Sequence, residues 1–230
     1  TLEGTNAFAG GLSVVGGSVI AASDAALGAV PTAASPGNIA LYDGAQFVAA
    51  GSFTLNANRG LSLLGSATVS TVGGANLTYA GAIVGGGALT KAGAGTLTLS
   101  GANTHAGTTL ADGTLALGSA TALGAGSLSV TAAASLANVS GADLTVANNA
   151  ALFLSGDLTY VTAAQGLNLG AGRVTVSGDR TLNTAGTLTF GGNLVGVGSL
   201  TKTGAGNLVL AGANALAGGL TVNAGTVTLG

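Results

Sequence analysis

Chemistry in this chain would have to come from seven carboxylates, one histidine and five basic side chains. Glu3, Asp24, Asp43, Asp112, Asp143, Asp157 and Asp179 stand singly, with no Asp-Asp or Asp-x-Asp pair among them. Acid–base work on a sugar needs carboxylates brought together in twos, often beside a His, Lys or Arg. Asp112, Asp143 and Asp157 lie in the turn-like contexts Ala-Asp-Gly, Gly-Ala-Asp and Ser-Gly-Asp, where a carboxylate bonds its local backbone. Asp179 and Arg180 are adjacent, and an exposed ion pair between them would stabilise by at most about 1 kcal/mol. His105 is the sole histidine; it leaves no multi-histidine metal site, and a surface or corner place is expected for it. No cysteine is present, so thiolate ligands, disulfides and cysteine nucleophiles drop out together. Gly85-Gly86-Gly87 lacks the Lys-Ser/Thr of a phosphate loop, and five cations in 230 residues make no nucleic-acid footprint. The reading is of a non-enzyme: no catalytic, cofactor-binding or metal residue is assigned, no cofactor is expected, and neither nucleotide nor nucleic acid is a partner.

What positions these residues is a repeat. VGGGALTKAGAGTLTLSGANTHAGTTLADGTLAL at 84–117 returns as VGVGSLTKTGAGNLVLAGANALAGGLTVNAGTVTL at 195–229, with a constant offset from Val84/Val195 through Lys91/Lys202 and Asn103/Asn214 to Gly107/Gly218. A further copy opens the chain, with Gly4, Asn6 and Gly10 spaced as Gly101, Asn103 and Gly107 are. Self-similarity of this kind marks a repeat array. The chain is read as one continuous segment over 1–230, a piece of something longer, with copies near 1–30, 84–131 and 195–230. Lys91 and Lys202 recur at one motif position, which suits a coil-edge charge that discourages sideways strand pairing. Asn6, Asn103 and Asn214 are expected to bond backbone within their own turns.

Only 5% of residues are charged and 3% aromatic, while 43 are glycine. The hydrophobic 47% is mostly Ala, Leu and Val, enough for a thin, elongated core. No run approaches the ~20 apolar residues of a membrane helix. Period-two alternation dominates, in bursts such as Phe53–Leu55, Leu61–Leu63, Leu97–Leu99, Leu152–Leu154, Val174–Val176 and Leu208–Leu210, each with one core face and one small neutral face. Ala21–Ala29 and Thr131–Ala134 are the only helix-like pieces and are read as loops or corners. Hairpin turns such as Asp43-Gly44 are few, so the expected fold is all-β, a parallel β-helix or solenoid. At about 20–25 residues per coil it makes roughly 9–12 coils and a rod near ~50 Å long. Phe8, Phe47, Phe53, Phe153 and Phe190 are expected as core fillers. Thr96-Leu-Thr98, Thr187-Leu-Thr189 and Thr226-Val-Thr228 lie too far apart in the sequence for a regular ladder, which weighs against ice binding.

LTKAGAGTLTLSGANTHAGTTLADGTLALG at 89–118 and LTKTGAGNLVLAGANALAGGLTVNAGTVTLG at 200–230 resemble the autotransporter-associated β-strand repeat, also called the passenger-associated transport repeat. The shared elements are Leu-Thr-Lys, Gly-x-Gly, Leu-x-Leu, Gly-x-Asn and Gly-Thr-(Leu/Val), in order; His105 departs from the usual aromatic. The resemblance implies a right-handed parallel β-helix in the passenger of a type V secreted protein. It would be a stalk of a cell-surface adhesin that supports export and folding, attached to the outer membrane through a barrel outside this chain. A building block of an extracellular filament or biofilm matrix is the alternative. Self-association and host or surface ligands are the partners left open, and membrane contact would come only through the anchor. On this reading, substituting Asp112, His105 or Lys91 leaves adhesion unchanged, whereas Leu99→Asp disrupts folding by driving an unpaired charge into the core.

Overall fold

Alternation decides what each strand buries. Thr96–Leu99 turns Leu97 and Leu99 inward and holds Thr96 and Thr98 at the surface. A lone strand of this kind leaves both backbone edges unpaired, so it is stable only when stacked on others like it. The computed structural model, which describes all 230 residues, shows that stack: 28 short strands paired in parallel and wound into a solenoid of about nine turns.

Three faces run along the rod. The first holds ten strands, from Ser18–Ala21 to Ala215–Leu216, and the second nine, from Phe53–Leu55 to Leu220–Val222. The third is split into a four-stranded sheet that reaches Ile83–Val84 and a five-stranded sheet that begins at Leu144–Thr145. Between them the chain crosses without strands, tied by the Thr104 amide to Ile83 O and the Ala125 amide to His105 O.

Successive coils differ in length more than the uniform spacing expected of them. Leu97 pairs with Leu115 across a short coil, whereas Val19 pairs with Phe47 across a much longer one. The long coil contains Asp24–Leu27, a single turn of 3₁₀ helix where a loop is expected, and buries Ala26 and Leu27. The chain at 131–133 is a corner, and the next strand, Ala134–Asn138, starts at once.

A core of 45 buried residues continues from Val14 to Leu210. Phe47 and Phe190 lie in it and Phe53 packs at its margin, but Phe8 and Phe153 are surface residues, 39% and 43% exposed. Parity explains Phe153: Leu152 and Leu154 point inward, so the residue between them points out. The large rings deep in the core are Phe190 and two tyrosines, Tyr79 and Tyr160. Burial carries the Tyr79 hydroxyl up to about 12, with the Leu61 amide offsetting part of the rise.

Candidate functional site

The two lysines are internal. Lys91 and Lys202 have no exposed surface, which corrects the expectation of a coil-edge charge. In Ala88–Ala92 and Leu200–Thr203, Lys stands two residues after an inward Leu, so strand parity sends it to the core side. Its Nζ then reaches the corner. Lys91 donates to the carbonyls of Ala92 (2.9 Å), Gly93 (2.6 Å) and Asp112 (3.1 Å). Lys202 repeats the arrangement with Thr203 (2.7 Å), Gly204 (2.8 Å) and Ala224 (3.1 Å). Each ammonium spends its three hydrogens on three carbonyls, two from its own corner and one from the following coil. Burial pulls the Lys91 pKa down to about 8, with Asp112 pulling it back, and burial lowers that of Lys202 as well.

Gly-Ala-Gly makes the corner that the lysine closes. Gly93 and Gly204 have φ of 72° and 76°, and a Cβ on either would run into the carbonyl of Thr71 or Thr184 in the preceding coil. These corners are not the same corner. The first copy passes from the first face to the second, Ala88–Ala92 to Thr96–Leu99; the second copy passes from the second face to the third, Leu200–Thr203 to Asn207–Leu210. The step from one copy to the other therefore advances the motif by five coils and one face.

Asn103 and Asn214 act between coils rather than within their turns, a second correction, whereas Asn6 also donates to Glu3 O within its own turn at 3.4 Å. Asn103 Oδ1 accepts the Ile83 amide at 2.9 Å, and its Nδ2 donates to Ala122 O at 2.9 Å, so one side chain bridges the gap in the third face. Asn214 Oδ1 accepts the Leu194 amide at 3.0 Å, the matching bond. Asn6 Nδ2 donates to Ala26 O at 2.8 Å. Aspartates also reach the next coil: Asp43 accepts the Ser66 amide, Asp143 that of Gly166, Asp157 that of Thr181 and Asp179 that of Ser199, at 2.6–3.1 Å. The Ser199 amide and hydroxyl hold the Asp179 carboxyl below its ordinary pKa. Of the three aspartates expected to bond locally, only Asp112 does, to the Gly113 amide.

His105 stands at a bend just before Gly107–Leu110, the corner place expected as one alternative, but it is fully buried and not at the surface. Thr108 Oγ1 has a single proton, directed at Leu123 O (2.9 Å), so the 2.9 Å contact to His105 Nε2 assigns the ring proton to Nε2. Nδ1 has no partner. Burial pushes the ring down to about 4, with the Ile83 backbone offsetting part of the fall. Arg59, which carries no signal in the sequence, is buried too. It pairs with Asp24 at 2.8 Å and donates to the carbonyls of Leu27, Gly28 and Ala29, closing the end of the 3₁₀ turn. Arg180 donates to Ser177 O and forms no ion pair with Asp179.

At the surface, Asp112 and Asp157 share an open hollow of about 360 Å³ with Thr114, Ser135 and Thr159, so these two acids are closer neighbours than their sequence separation suggests. Outward polar residues also stack. Asn76, Thr96, Thr114, Ser135, Thr159, Asn183 and Thr203 occupy one row along the second face. The Thr-x-Thr pairs do not meet one another; Thr96 has Asn76 and Thr114 as its rungs.

A parallel solenoid closed by recurring lysine corners is a repeat architecture, in which each unit contacts only its neighbours. The repeat itself is identified by comparison: residues 89–117 and 200–229, about a quarter of the chain, match the family model described as passenger-associated-transport-repeat. The chain carries two copies of that repeat, in keeping with the repeat-bearing passenger of an autotransporter, and such repeats imply a secreted or cell-surface protein. No curated protein and no solved structure was matched.

Proposed function

We propose that this chain is a stalk segment of a cell-surface autotransporter adhesin, a rod that supports export and folding and holds a binding region of the same polypeptide away from the membrane. The observation that carries this reading is that both matched repeats are corner units whose lysine is turned inward, its ammonium bonded to backbone of its own and the adjoining coil. The motif's distinctive residues serve coil stacking. A one-dimensional stack also suits export, because coils can be added one at a time, each covering the edge of the last. The absence of cysteine leaves nothing to cross-link in an oxidising compartment.

Gentle protease shaving of intact cells, followed by the mass and terminal sequences of the released fragment and of the unshaved parent, tests the proposal. A parent that continues into a membrane-embedded barrel is expected. Recovery of the chain in filaments with no membrane anchor would overturn the stalk in favour of an assembling material. Lys91 and His105 are unsuitable for an adhesion assay, because buried positions change the fold; exposed Asp112 remains suitable, and Asp112→Ala should leave adhesion unchanged.

A further inference from the structure

We propose that the third face carries a binding groove for a neutral sugar, crossing the three coils at 143–145, 166–168 and 187–189. Leu144, Leu167 and Leu188 stack in register, so their neighbours form two outward rows. Asp143, Gly166 and Thr187 make one; Thr145, Asn168 and Thr189 make the other. Gly166 has no side chain at the centre of its row. The loop that precedes it, through Gln165, raises a wall beside the gap, and together they enclose a hollow of about 440 Å³, within the usual ~300–1,000 Å³ of small-molecule sites.

The floor is held rigid. Asp143 Oδ1 accepts the Gly166 amide at 2.6 Å, while buried Asn138 donates through Nδ2 to Gly166 O at 2.8 Å and to Ala142 O at 2.7 Å. The Tyr160 hydroxyl donates to Gln165 O and fixes the wall. A site fixed before its ligand arrives loses less entropy on binding. The atoms facing the hollow are both donors and acceptors. The hydroxyls of Thr145, Thr187 and Thr189 and the Gln165 amide make no bond within the protein, and Asn168 keeps its Nδ2 free while Oδ1 accepts the Gly170 amide. One carboxylate and no cation line it. That set fits a polyhydroxylated, uncharged ring: Asp143 would repel an anion, and nothing there pairs with a phosphate or carboxylate. Coils rise by ~4.8 Å, so adjoining rungs meet a sugar chain laid along the rod at about one ring each.

The test is saturation-transfer NMR and titration of the 230-residue chain with maltose, cellobiose, lactose and N,N′-diacetylchitobiose, and with sialyllactose as the anionic control. At least one neutral sugar is expected to bind. Gly166→Val should abolish binding by obstructing the middle of the hollow; φ there is ordinary, and the added Cβ requires Asp143 Oδ1, at 3.3 Å, to move by a few tenths of an ångström. Thr189→Val should weaken binding up to about tenfold by removing one hydroxyl, while Thr96→Val on the second face should not weaken it. If circular dichroism shows Gly166→Val to be unfolded, the contrast between Thr189→Val and Thr96→Val decides. No binding by any neutral sugar, equal loss in both threonine variants, or preference for sialyllactose would overturn the proposal.

Discussion

A buried ammonium facing three carbonyls is a matched set, and neither half is stable without the other. Lys91→Met fits the space but leaves the carbonyls of Ala92, Gly93 and Asp112 without that donor, so urea denaturation should show a loss of about 2–4 kcal/mol. The pH dependence has the opposite sense to a surface lysine's. Native Lys91 releases its proton at about 8 where the unfolded chain holds it to 10.5, so the burial penalty is complete below pH 8 and is relieved as pH rises towards 10.5. Tyr79 reverses the trend above its ordinary 10.0, since its folded value is about 12. Tm should therefore rise from pH 7 into the nines and then fall, and a steady decline from pH 7 would contradict the assignment. His105 acts at the other end. Its folded pKa of about 4 against 6.5 unfolded means that stability is full above 6.5 and is lost as pH falls towards 4. His105→Leu, which installs the residue found at the matching position 216, should flatten that acid limb; an unchanged acid slope would show that the ring is not the titrating group.

Elements here are specified by what turns inward, and that decides how much could be read in advance. Strands with two large apolar residues on the core side, such as Thr96–Leu99 or Leu152–Leu154, are plain in the sequence. Ala67–Thr71 and Gly107–Leu110 are not, because small or polar residues, Ala67, Thr71, Gly107 and Thr108, occupy buried positions and blur the alternation. The lysines were legible in principle: Leu-Thr-Lys puts Lys on the same side as Leu, but a charge is assigned outward by habit. Arg59 and the groove at Gly166 carry no local signal, since both depend on which coil lies alongside. The motif specifies a corner and not a face, for the two copies bend between different pairs of sheets. Transplanting the first corner into the second, Thr203→Ala with Asn207→Thr, should then change stability by no more than about 1 kcal/mol, the main loss being the Thr226 and Thr228 hydroxyl bonds to Asn207. Gly204→Ala, with φ of 76° and a blocked Cβ, should cost more than that double change. Equal losses would mean that the corner is tuned to its face.

The whole rod is a sum of neighbouring contacts, because every strand bonds only to the coil before and the coil after it. Whole coils are then removable units, whereas fractions of a coil are not. Val174 pairs with Leu194, one coil apart, so deleting 174–193 joins Arg173 to Leu194 with Leu194 in the first-face position that Val174 held over Leu152. Lys202 keeps its corner and its carbonyls at 203, 204 and 224. The shortened chain should fold, with the same β-sheet spectrum, a rod shorter by ~4.8 Å in small-angle scattering and a denaturant m-value reduced in proportion to the chain removed. Deleting only 184–193 removes half a turn and carries the second-copy strands to the wrong faces, so it should leave a chain without cooperative unfolding. If both deletions behaved alike, stability would not be additive along the axis, and the lysine corners could not be interchangeable units of the solenoid.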